Sequence, residues 1–239
     1  MYDFPATREA NDAFWTLIRR NLGFGPERLC RDGEVWRHWC APDLILSQTC
    51  GLPFRARLSD RVALVGTPDY GLPGCAPGHY FSVILVRGDL GSVDPADSPG
   101  MRLACNDALS QSGWAAAHAH AADHGAAFET VLSTGSHHAS ATAVAEGRAD
   151  IAFVDAVTWR HIGADPLFRD LAVIGRTAPT PGLPLITARS EDAGPVAGAV
   201  EAALEAAGPE LRAQIGIQGL IQIPAASYLS QPVPPPPPQ

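Results

Sequence analysis

Short apolar runs alternate with helical stretches along the middle of the chain. Predicted strands cover residues 102–105, 128–132, 151–154 and 171–174, and predicted helices begin near Ser112, near Ser136 and at Ala156. A strand, a helix and a second strand in this order usually form a parallel unit in which the helix packs on the sheet. The alternation therefore predicts an α/β fold.

Further apolar runs lie on both sides of this region. They are short and bounded mainly by Gly, Pro or polar residues, and we interpret them as buried strands over residues 44–46, 62–65, 81–86 and 185–186. An amphipathic helix is predicted near the start of the chain, with Phe14 and Ile18 on its apolar face and Gly23 as its end. An Ala-rich helix is predicted over residues 195–207, with a short helix near Leu211.

The last residues of the chain, 231–239, include five consecutive prolines at positions 234–238. Such a run favours the extended polyproline conformation, whose backbone remains hydrated. We expect a disordered, solvated tail, and the alternative is a ligand for an SH3-type domain.

The charge balance restricts the kinds of partner. The chain has 17 basic and 25 acidic residues, a net charge of −8, which argues against binding nucleic acid or an anionic membrane surface. A small anionic ligand remains compatible with this balance, because backbone N–H groups bind anions without net positive charge.

We expect neither a membrane span nor a signal peptide within the given sequence. No apolar run reaches the roughly 18 residues that a membrane span needs. Residues 1–23 carry charge throughout and have no apolar core typical of a signal peptide. These features predict a cytoplasmic protein if the chain is complete, and the alternative is a mature or shortened form.

Five cysteines are scattered over positions 30, 40, 50, 75 and 105. An odd number without a CxxC pair is not typical of a disulfide framework, and no histidine is placed to complete a zinc site. We expect buried free thiols and no metal ion. A single bridge between Cys50 and Cys75 is the alternative.

Three loops rich in small polar residues directly follow predicted strands. They cover residues 47–51, 106–113 and 134–140. In open α/β sheets, ligands bind at the carboxyl ends of the strands. These loops are therefore the candidate binding segments.

The second and third loops each open a helix. A helix start offers unpaired N–H groups and a partial positive charge. We expect Ser112 and Ser136 to cap these helices, and Gly113 and Gly135 to let a ligand approach the backbone closely. If the two strands are neighbours, both helix starts converge on an anion site made of neutral groups. The alternative is that the serines only cap their helices.

Two further side chains follow these strands. His137 could donate a hydrogen bond to an oxyanion, although a histidine at a helix start is often only a surface or capping residue. Asp155 ends the strand over residues 151–154. It either caps the next helix or faces a cationic group of the ligand, since an unpaired carboxylate beside a bound anion is costly.

The order of these motifs resembles the phosphate-, phosphite- and phosphonate-binding proteins of ABC importers. The similar segments are residues 43–51 (DLILSQTCG), Gly74-Cys75 with 78–82 (GHYFS), Asn106 with 110–113 (SQSG), 134–137 (TGSH) and 147–155 (GRADIAFVD). Each motif is short, but together they extend the resemblance from about residue 2 to residue 224.

The resemblance implies the type 2 periplasmic-binding fold, in which two α/β lobes joined by two crossing strands enclose a cleft. Carried onto this chain, lobe one comprises residues 1–83 and 178–239, and lobe two comprises residues 84–177. Family members begin with a strand ahead of the loop that matches Tyr2 and Asp3, so the resemblance implies a start further upstream.

The resemblance also implies a ligand site, with no catalytic residue. Ser112, Ser136 and His137 match the family's oxyanion site, and Asp155 matches a carboxylate that some members use for a substrate amine. Tyr80 and Gln48 match cleft positions of lobe one. The predicted ligand-binding residues are Tyr2, Gln48, Thr49, Tyr80, Asn106, Ser110, Ser112, Gly113, Thr134, Ser136, His137 and Asp155.

The resemblance favours a non-enzymatic solute-binding protein for a small anionic or zwitterionic ligand of the phosphonate or phosphate type. It implies a periplasmic location, no cofactor, an ABC permease as partner and a monomeric state. The alternatives are a sensor or a small-molecule enzyme on the same fold. A thiol enzyme would need Cys50 activated by a base such as His79, His137 or His138.

Overall fold

The computed structural model of the protein describes residues 2–238 and divides into two compact units. The first unit comprises the chain up to His79 together with Pro181–Gln231. The second comprises Tyr80–Thr180 together with the tail from Pro232 onward. The predicted lobe boundaries at residues 83 and 178 lie a few residues from these positions. Tyr80, expected in lobe one, belongs to the second unit.

The strands are short and are numbered along the chain. They are β1 Ser47–Gln48, β2 Ala63–Asp69, β3 His79–Tyr80, β4 Ser82–Arg87, β5 Leu103–Cys105, β6 Val131–Ser133, β7 Ile151–Asp155, β8 Leu171–Arg176, β9 Thr180–Pro181, β10 Leu185–Thr187 and β11 Gly219–Ile221. The unit boundaries fall within β3 and β9.

The helices are numbered in the same way. They are α1 Arg8–Leu22, α2 Val35–Trp39, α3 Gly51–Pro53, α4 Ala116–Asp123, α5 His137–Ala145, α6 Ala156–Ile162, α7 Ser190–Ala206, α8 Pro209–Ile215 and α9 Ala225–Leu229. Phe54–Leu58 and Gln111–Ala115 are π-helical turns. The 3-10 segments are Pro5–Thr7, Gly88–Leu90, Pro95–Gly100 and Pro166–Phe168. Within residues 2–238, no helix has the length and apolar character that a bilayer crossing requires.

The sheet of the first unit is antiparallel, with the order β1-β10-β2-β11. Phe14 and Ile18 of α1 pack into its core with Val196 and Val200 of α7. The predicted first helix is confirmed. It ends at Gly23, which adopts φ 82°, a left-handed conformation that favours glycine at helix ends.

The strand predicted at residues 44–46 is wrong. Pairing with β10 begins only at Ser47, opposite Ile186, and continues at Gln48, opposite Leu185. Residues 44–46 instead run as irregular backbone, although Leu44 still accepts a hydrogen bond from Ala188 N–H at 2.9 Å. An apolar run alone does not specify where ladder pairing starts, because the pairing depends on the partner strand.

The sheet of the second unit has the order β6-β5-β7-β4-β8. Strand β5 is parallel to both β6 and β7, whereas β4 is antiparallel to β7 and β8. The sheet is therefore mixed: β5, β6, β7 and β8 share one direction, as the predicted parallel units require, and only β4 among them runs the other way. The carboxyl ends of β5, β6 and β7 lie at one edge, where β4 begins, because Ser82 pairs with Asp155.

The proline-rich tail has no helix or strand over residues 232–238 and is largely exposed, as expected of a solvated segment, but it does not belong to lobe one as predicted. From Pro232 onward it belongs to the second unit, and the carbonyl of Pro235 accepts a hydrogen bond from the Trp114 indole at 2.7 Å. Trp114 is buried, with 3% of its surface exposed. Its indole N–H requires an acceptor at this depth, and the tail supplies it.

All five cysteines are free thiols, and the alternative bridge between Cys50 and Cys75 is not formed. The expectation that the thiols are buried is correct only for Cys105, whose pKa is raised by burial to about 11. Cys30 and Cys40 are exposed.

Candidate functional site

The loops after β5 and β6 lie side by side because their strands are neighbours. Gly135 N–H donates to the Asn106 carbonyl at 3.0 Å, and Thr134 N–H donates to the Cys105 carbonyl at 2.9 Å. These two bonds join the loops that the sequence singled out. The two helix starts that follow therefore meet at one edge of the sheet.

The first helix start is capped by Ser110 rather than by Ser112. Ser110 Oγ accepts the Gly113 N–H at 2.9 Å, and the π-helical turn from Gln111 to Ala115 follows before α4. The predicted cap was two residues late, because either serine fits the local pattern and only the backbone geometry decides between them. Ser112 is consequently available for another partner.

Asn106 and Gly113 pack tightly within this loop. A Cβ atom added at Gly113 would fall on the amide oxygen of Asn106, so the close approach requires glycine. That oxygen, Asn106 Oδ1, is buried and has no hydrogen-bond donor among residues 2–238. This oxygen can therefore accept a hydrogen bond from a ligand.

The second helix start is capped by Ser136, as predicted. Ser136 Oγ accepts the Ala139 N–H at 3.1 Å, while Ser136 itself is exposed. Capping occupies an acceptor position and leaves the hydroxyl proton free to donate. Thr134 supports this turn, with its Oγ1 at 3.1 Å from the Cys105 carbonyl and at 2.7 Å from Ser140 Oγ.

Ser112 and His137 connect the two helix starts directly. Ser112 Oγ lies 2.8 Å from His137 Nε2, and Ser112 is buried, with 4% exposed. The second ring nitrogen, His137 Nδ1, is buried and makes no hydrogen bond within the part of the chain that the structure describes. If the serine hydroxyl donates to Nε2, then Nδ1 carries the proton and is a donor for a ligand.

Burial lowers the pKa of His137 to about 4. The imidazole is therefore neutral near pH 7. A neutral ring of this kind can act as a hydrogen-bond donor without formal charge.

Asp155 lies at the same edge, at the end of β7, and is 2% exposed. Its Oδ1 accepts the Thr158 N–H at 2.8 Å and caps α6. The capping role weighed from the sequence is thus present. Ser82 of β4 lies opposite Asp155 of β7 in the sheet. Its hydroxyl donates to the Ser112 carbonyl at 2.9 Å, so this buried serine connects β4 to the helix start that follows β5.

Three predicted site residues belong to the first unit. The Tyr2 ring lies edge-on to Tyr70, with centroids 4.9 Å apart, and the Tyr2 carbonyl accepts from Thr7 and Asn11. Gln48 is 6% exposed, and Thr49 is 1% exposed with its N–H donating to the Pro184 carbonyl at 3.0 Å.

The other nine predicted residues belong to the second unit. Those that the contacts above bring together are Asn106, Ser110, Ser112, Gly113, Thr134, Ser136 and His137. Asp155 is joined to them through Ser82. Tyr80 is buried, with 3% exposed.

Sequence reasoning missed Ser82 and Arg176 as residues of this edge. Ser82 lies within a predicted strand, where its polar side chain was a signal. Arg176 pairs with Val83 in the sheet, and its guanidinium lies 5.1 Å from the centroid of the Phe81 ring. Across residues 2–238, no group of three His, Cys, Asp or Glu side chains could hold a metal ion.

A protein-family profile matches most of the chain. The profile, described as "ABC transporter, phosphonate, periplasmic substrate-binding protein", matches residues 52–228. A comparison with curated protein sequences finds no match.

Solved structures share the fold at low sequence identity. PhnD1 from Prochlorococcus marinus (MIT 9301), in complex with methylphosphonate, has a TM-score of 0.75 and 13% identity, over 93% of this chain and 89% of that chain. XAC2383 from Xanthomonas citri, bound to ATP, has a TM-score of 0.65 and 19% identity, over 92% and 88%.

A third similar structure is a binding protein component of an ABC phosphonate transporter (PA3383) from Pseudomonas aeruginosa. It has a TM-score of 0.61 and 17% identity, over 90% of this chain and 77% of that chain. These likenesses confirm the predicted fold class, that of the periplasmic binding proteins, and the family profile agrees with the resemblance noted in the sequence.

Proposed function

The chain belongs to the family of periplasmic substrate-binding proteins of phosphonate ABC transporters, and from this premise we propose that its second unit holds the oxyanion group of a small phosphonate. The observation that carries the proposal is the 2.8 Å contact between Ser112 Oγ and His137 Nε2, which joins two helix starts at one sheet edge. Methylphosphonate, the ligand of the similar PhnD1 structure, is the simplest candidate.

Neutral donors can stabilise such an anion. The hydroxyl of Ser136, the Nδ1–H of His137 and the amides of the first turn of α5 are the donors we assign to its oxygens. The buried Asn106 Oδ1 requires a donor instead, and a protonated oxygen of a phosphonate monoanion would supply one. A sulfate dianion has no such proton.

Binding without chemistry is the role we propose, since the family consists of substrate-binding proteins. The proposal includes a periplasmic location, an ABC permease as the partner that receives the ligand, and a monomeric protein. The site supports binding without chemistry, because a neutral, partly buried His137 with a buried Nδ1 is suited to donating a hydrogen bond to a bound ligand.

Calorimetric titration with methylphosphonate, phosphate and sulfate tests the site. Replacing Ser136 by alanine removes a hydrogen bond to the charged group of the ligand. Replacing Ser112 by alanine removes the partner that orients His137. Such a loss costs about 1.5–3 kcal/mol, which weakens affinity roughly ten- to over a hundredfold. We expect this loss for Ser112→Ala and Ser136→Ala with methylphosphonate.

The matched control is Ser98→Ala, another serine to alanine change in the second unit. Ser98 is fully buried, and its Oγ donates to the Pro95 carbonyl at 2.7 Å, ahead of the start of β5. It should leave affinity unchanged. Wild-type affinity in both site variants would mean that the oxyanion is held elsewhere.

A further inference from the structure

The proline-rich tail lies on the second unit with a regular pattern of exposure. Pro234 and Pro237 are partly buried, whereas the other residues of the segment 232–238 are exposed. A polyproline II helix has three residues per turn, so positions three apart lie on the same face. The pattern is that of a polyproline II helix with one face turned toward the protein.

A proline run offers only two kinds of group to a binding surface. Proline has no N–H, and its ring fixes φ at about −65°. Residues 234–238 therefore present carbonyl oxygens and pyrrolidine rings. Each residue from 233 to 237 also precedes a proline, which disfavours the helical conformation. A surface that binds this segment needs a hydrogen-bond donor for a carbonyl and an apolar area for the rings.

Trp114 supplies the donor. Its indole N–H, which can only donate, meets the Pro235 carbonyl at 2.7 Å. The partly buried His118 lies edge-on to Trp114, with ring centroids 5.7 Å apart. Aromatic-lined surfaces are known to bind polyproline II segments with the pattern PxxP. Pro234 and Pro237 have this spacing, and the bonded carbonyl lies between them.

The core of the second unit holds this donor in place. Trp114 is 3% exposed and packs with Ala117 and Ala121 of α4 and with Phe128 and Phe153. None of these contacts involves the tail. The orientation of the indole is therefore set by the folded unit, so the donor is available to any proline-rich segment that presents a carbonyl at the same position.

We propose that Trp114 and the surface around it form a recognition site for polyproline II segments, occupied by the chain's own tail and open to a proline-rich segment of another protein chain. Residues 232–238 carry no charge, so the site reads conformation and a carbonyl rather than charge. A tail joined by a short flexible linker has an effective concentration on the order of millimolar. An outside segment must compete with it. The proposal does not depend on the ligand proposed for Ser112 and His137.

Matched double substitutions in the full chain test which face of the tail is read. Pro234→Ala with Pro237→Ala alters the inward face, and Pro236→Ala with Pro238→Ala makes the same chemical change on the exposed face. Hydrogen exchange of the Trp114 indole, followed by NMR with labelled tryptophan, measures undocking. The resonance is assigned by its loss in Trp114→Phe.

We expect the inward pair to speed this exchange by about tenfold over the wild type, because buried CH₂ groups are lost. The exposed pair should change it by less than about twofold, as is usual for surface substitutions.

Binding of a separate peptide tests recognition of another chain. A full-length variant with a Gly-Ser tail keeps the length of the segment and loses its polyproline preference. Its substitutions are Pro234→Gly, Pro235→Ser, Pro236→Gly, Pro237→Ser and Pro238→Gly. The probe is the peptide VPPPPPQ with blocked ends. Its all-D counterpart has the same composition and the opposite handedness.

We expect the L-peptide to shift the Trp114 indole resonance of the Gly-Ser variant in a saturable way. It should shift that of the wild type much less, because the resident tail competes. The D-peptide should shift neither.

Three results would overturn the proposal. They are equal indole exchange in the two double variants, no shift by the L-peptide in the Gly-Ser variant, and equal shifts by the two enantiomers, which would indicate a general apolar surface. If the Gly-Ser variant does not fold, the same titration is carried out on the variant with the inward pair, and the same outcomes decide.

Discussion

At the scale of single residues, neighbouring serines make different contacts at the same helix start. Ser110 caps the helix start through the Gly113 N–H, which leaves the hydroxyl of Ser112 to meet His137. The same division occurs in the next loop, where Ser136 caps α5 with its oxygen and retains its proton. A capping serine therefore still has a proton to donate, so capping does not exclude the ligand contact that we propose.

His137 makes stability depend on pH. Its pKa is lowered by burial from the ordinary 6.5 to about 4, so between these values the unfolded chain binds a proton that the folded chain does not. Stability then falls as the pH decreases from about 6.5 to about 4. We expect the wild-type melting temperature to fall over this window, and His137→Asn to show a smaller fall.

The control for this pH series is His161. Its pKa is also lowered, by burial and by the neighbouring charge of Arg160, so His161→Asn should remove a separate part of the slope. Differential scanning calorimetry at matched ionic strength measures both. A His137→Asn curve parallel to that of the wild type would show that the ring is protonated in the folded protein.

Asp155 tests the charge of the ligand. We propose that a zwitterionic aminophosphonate, with its amine beside Asp155, is preferred over phosphate, because a dianion would face repulsion from this carboxylate. Asn is also a good helix cap, so Asp155→Asn retains the Thr158 contact seen at 2.8 Å and removes only the charge.

Calorimetry with 2-aminoethylphosphonate, methylphosphonate and phosphate should show a selective loss for the amine-bearing ligand in Asp155→Asn. Losing a hydrogen bond between charged groups costs about 1.5–3 kcal/mol, roughly ten- to over a hundredfold in affinity. The idea is wrong if the wild type binds phosphate more tightly than the aminophosphonate and the variant keeps that order.

At the scale of secondary-structure elements, the tail belongs to the second unit and supplies the acceptor of one buried donor. Removing residues 232–239 leaves the indole of Trp114, now satisfied by Pro235 at 2.7 Å, without its acceptor. A buried donor left unpaired costs about 1–3 kcal/mol. For a chain of 150–250 residues, each kcal/mol lowers the melting temperature by roughly 2–4 °C.

We therefore expect the variant truncated after Gln231 to melt several degrees lower and to show altered tryptophan emission. Truncation after Pro236 is the matched control, because it keeps the Pro235 carbonyl and should melt near the wild-type temperature. Equal melting temperatures for both truncations would contradict the role of the tail as an anchor for Trp114.

Elements defined by local pattern were predictable. The apolar face of α1 and its glycine stop were visible in the sequence, and the bounds predicted for α6, residues 156–162, agree with the structure. Strands were less predictable than helices, because the residues at which a strand begins and ends depend on pairing with segments far away in sequence. The prediction at residues 44–46 failed for that reason, since β10, which pairs with β1, is more than a hundred residues away.

At the scale of the whole molecule, the chain builds two units, each with its own sheet. It enters the second unit after His79, returns after Thr180 and enters it again after Gln231. The last passage was not foreseen, because a proline run has no apolar pattern that indicates a docking partner. Family membership accounts for the two-unit α/β design, but not for the attachment of the tail.

The sequence by itself determined the α/β class, the positions of most helices, and the three polar loops that follow strands. These depend on residue periodicity and on Gly and Ser at particular positions, which act over a few neighbours along the chain. The tertiary structure was needed to show that Ser110 is the cap, that Ser112 meets His137, and that β1 lies at the end of the sheet order β1-β10-β2-β11. Those features depend on which strands become neighbours, and strand order is set by packing between segments far apart in sequence.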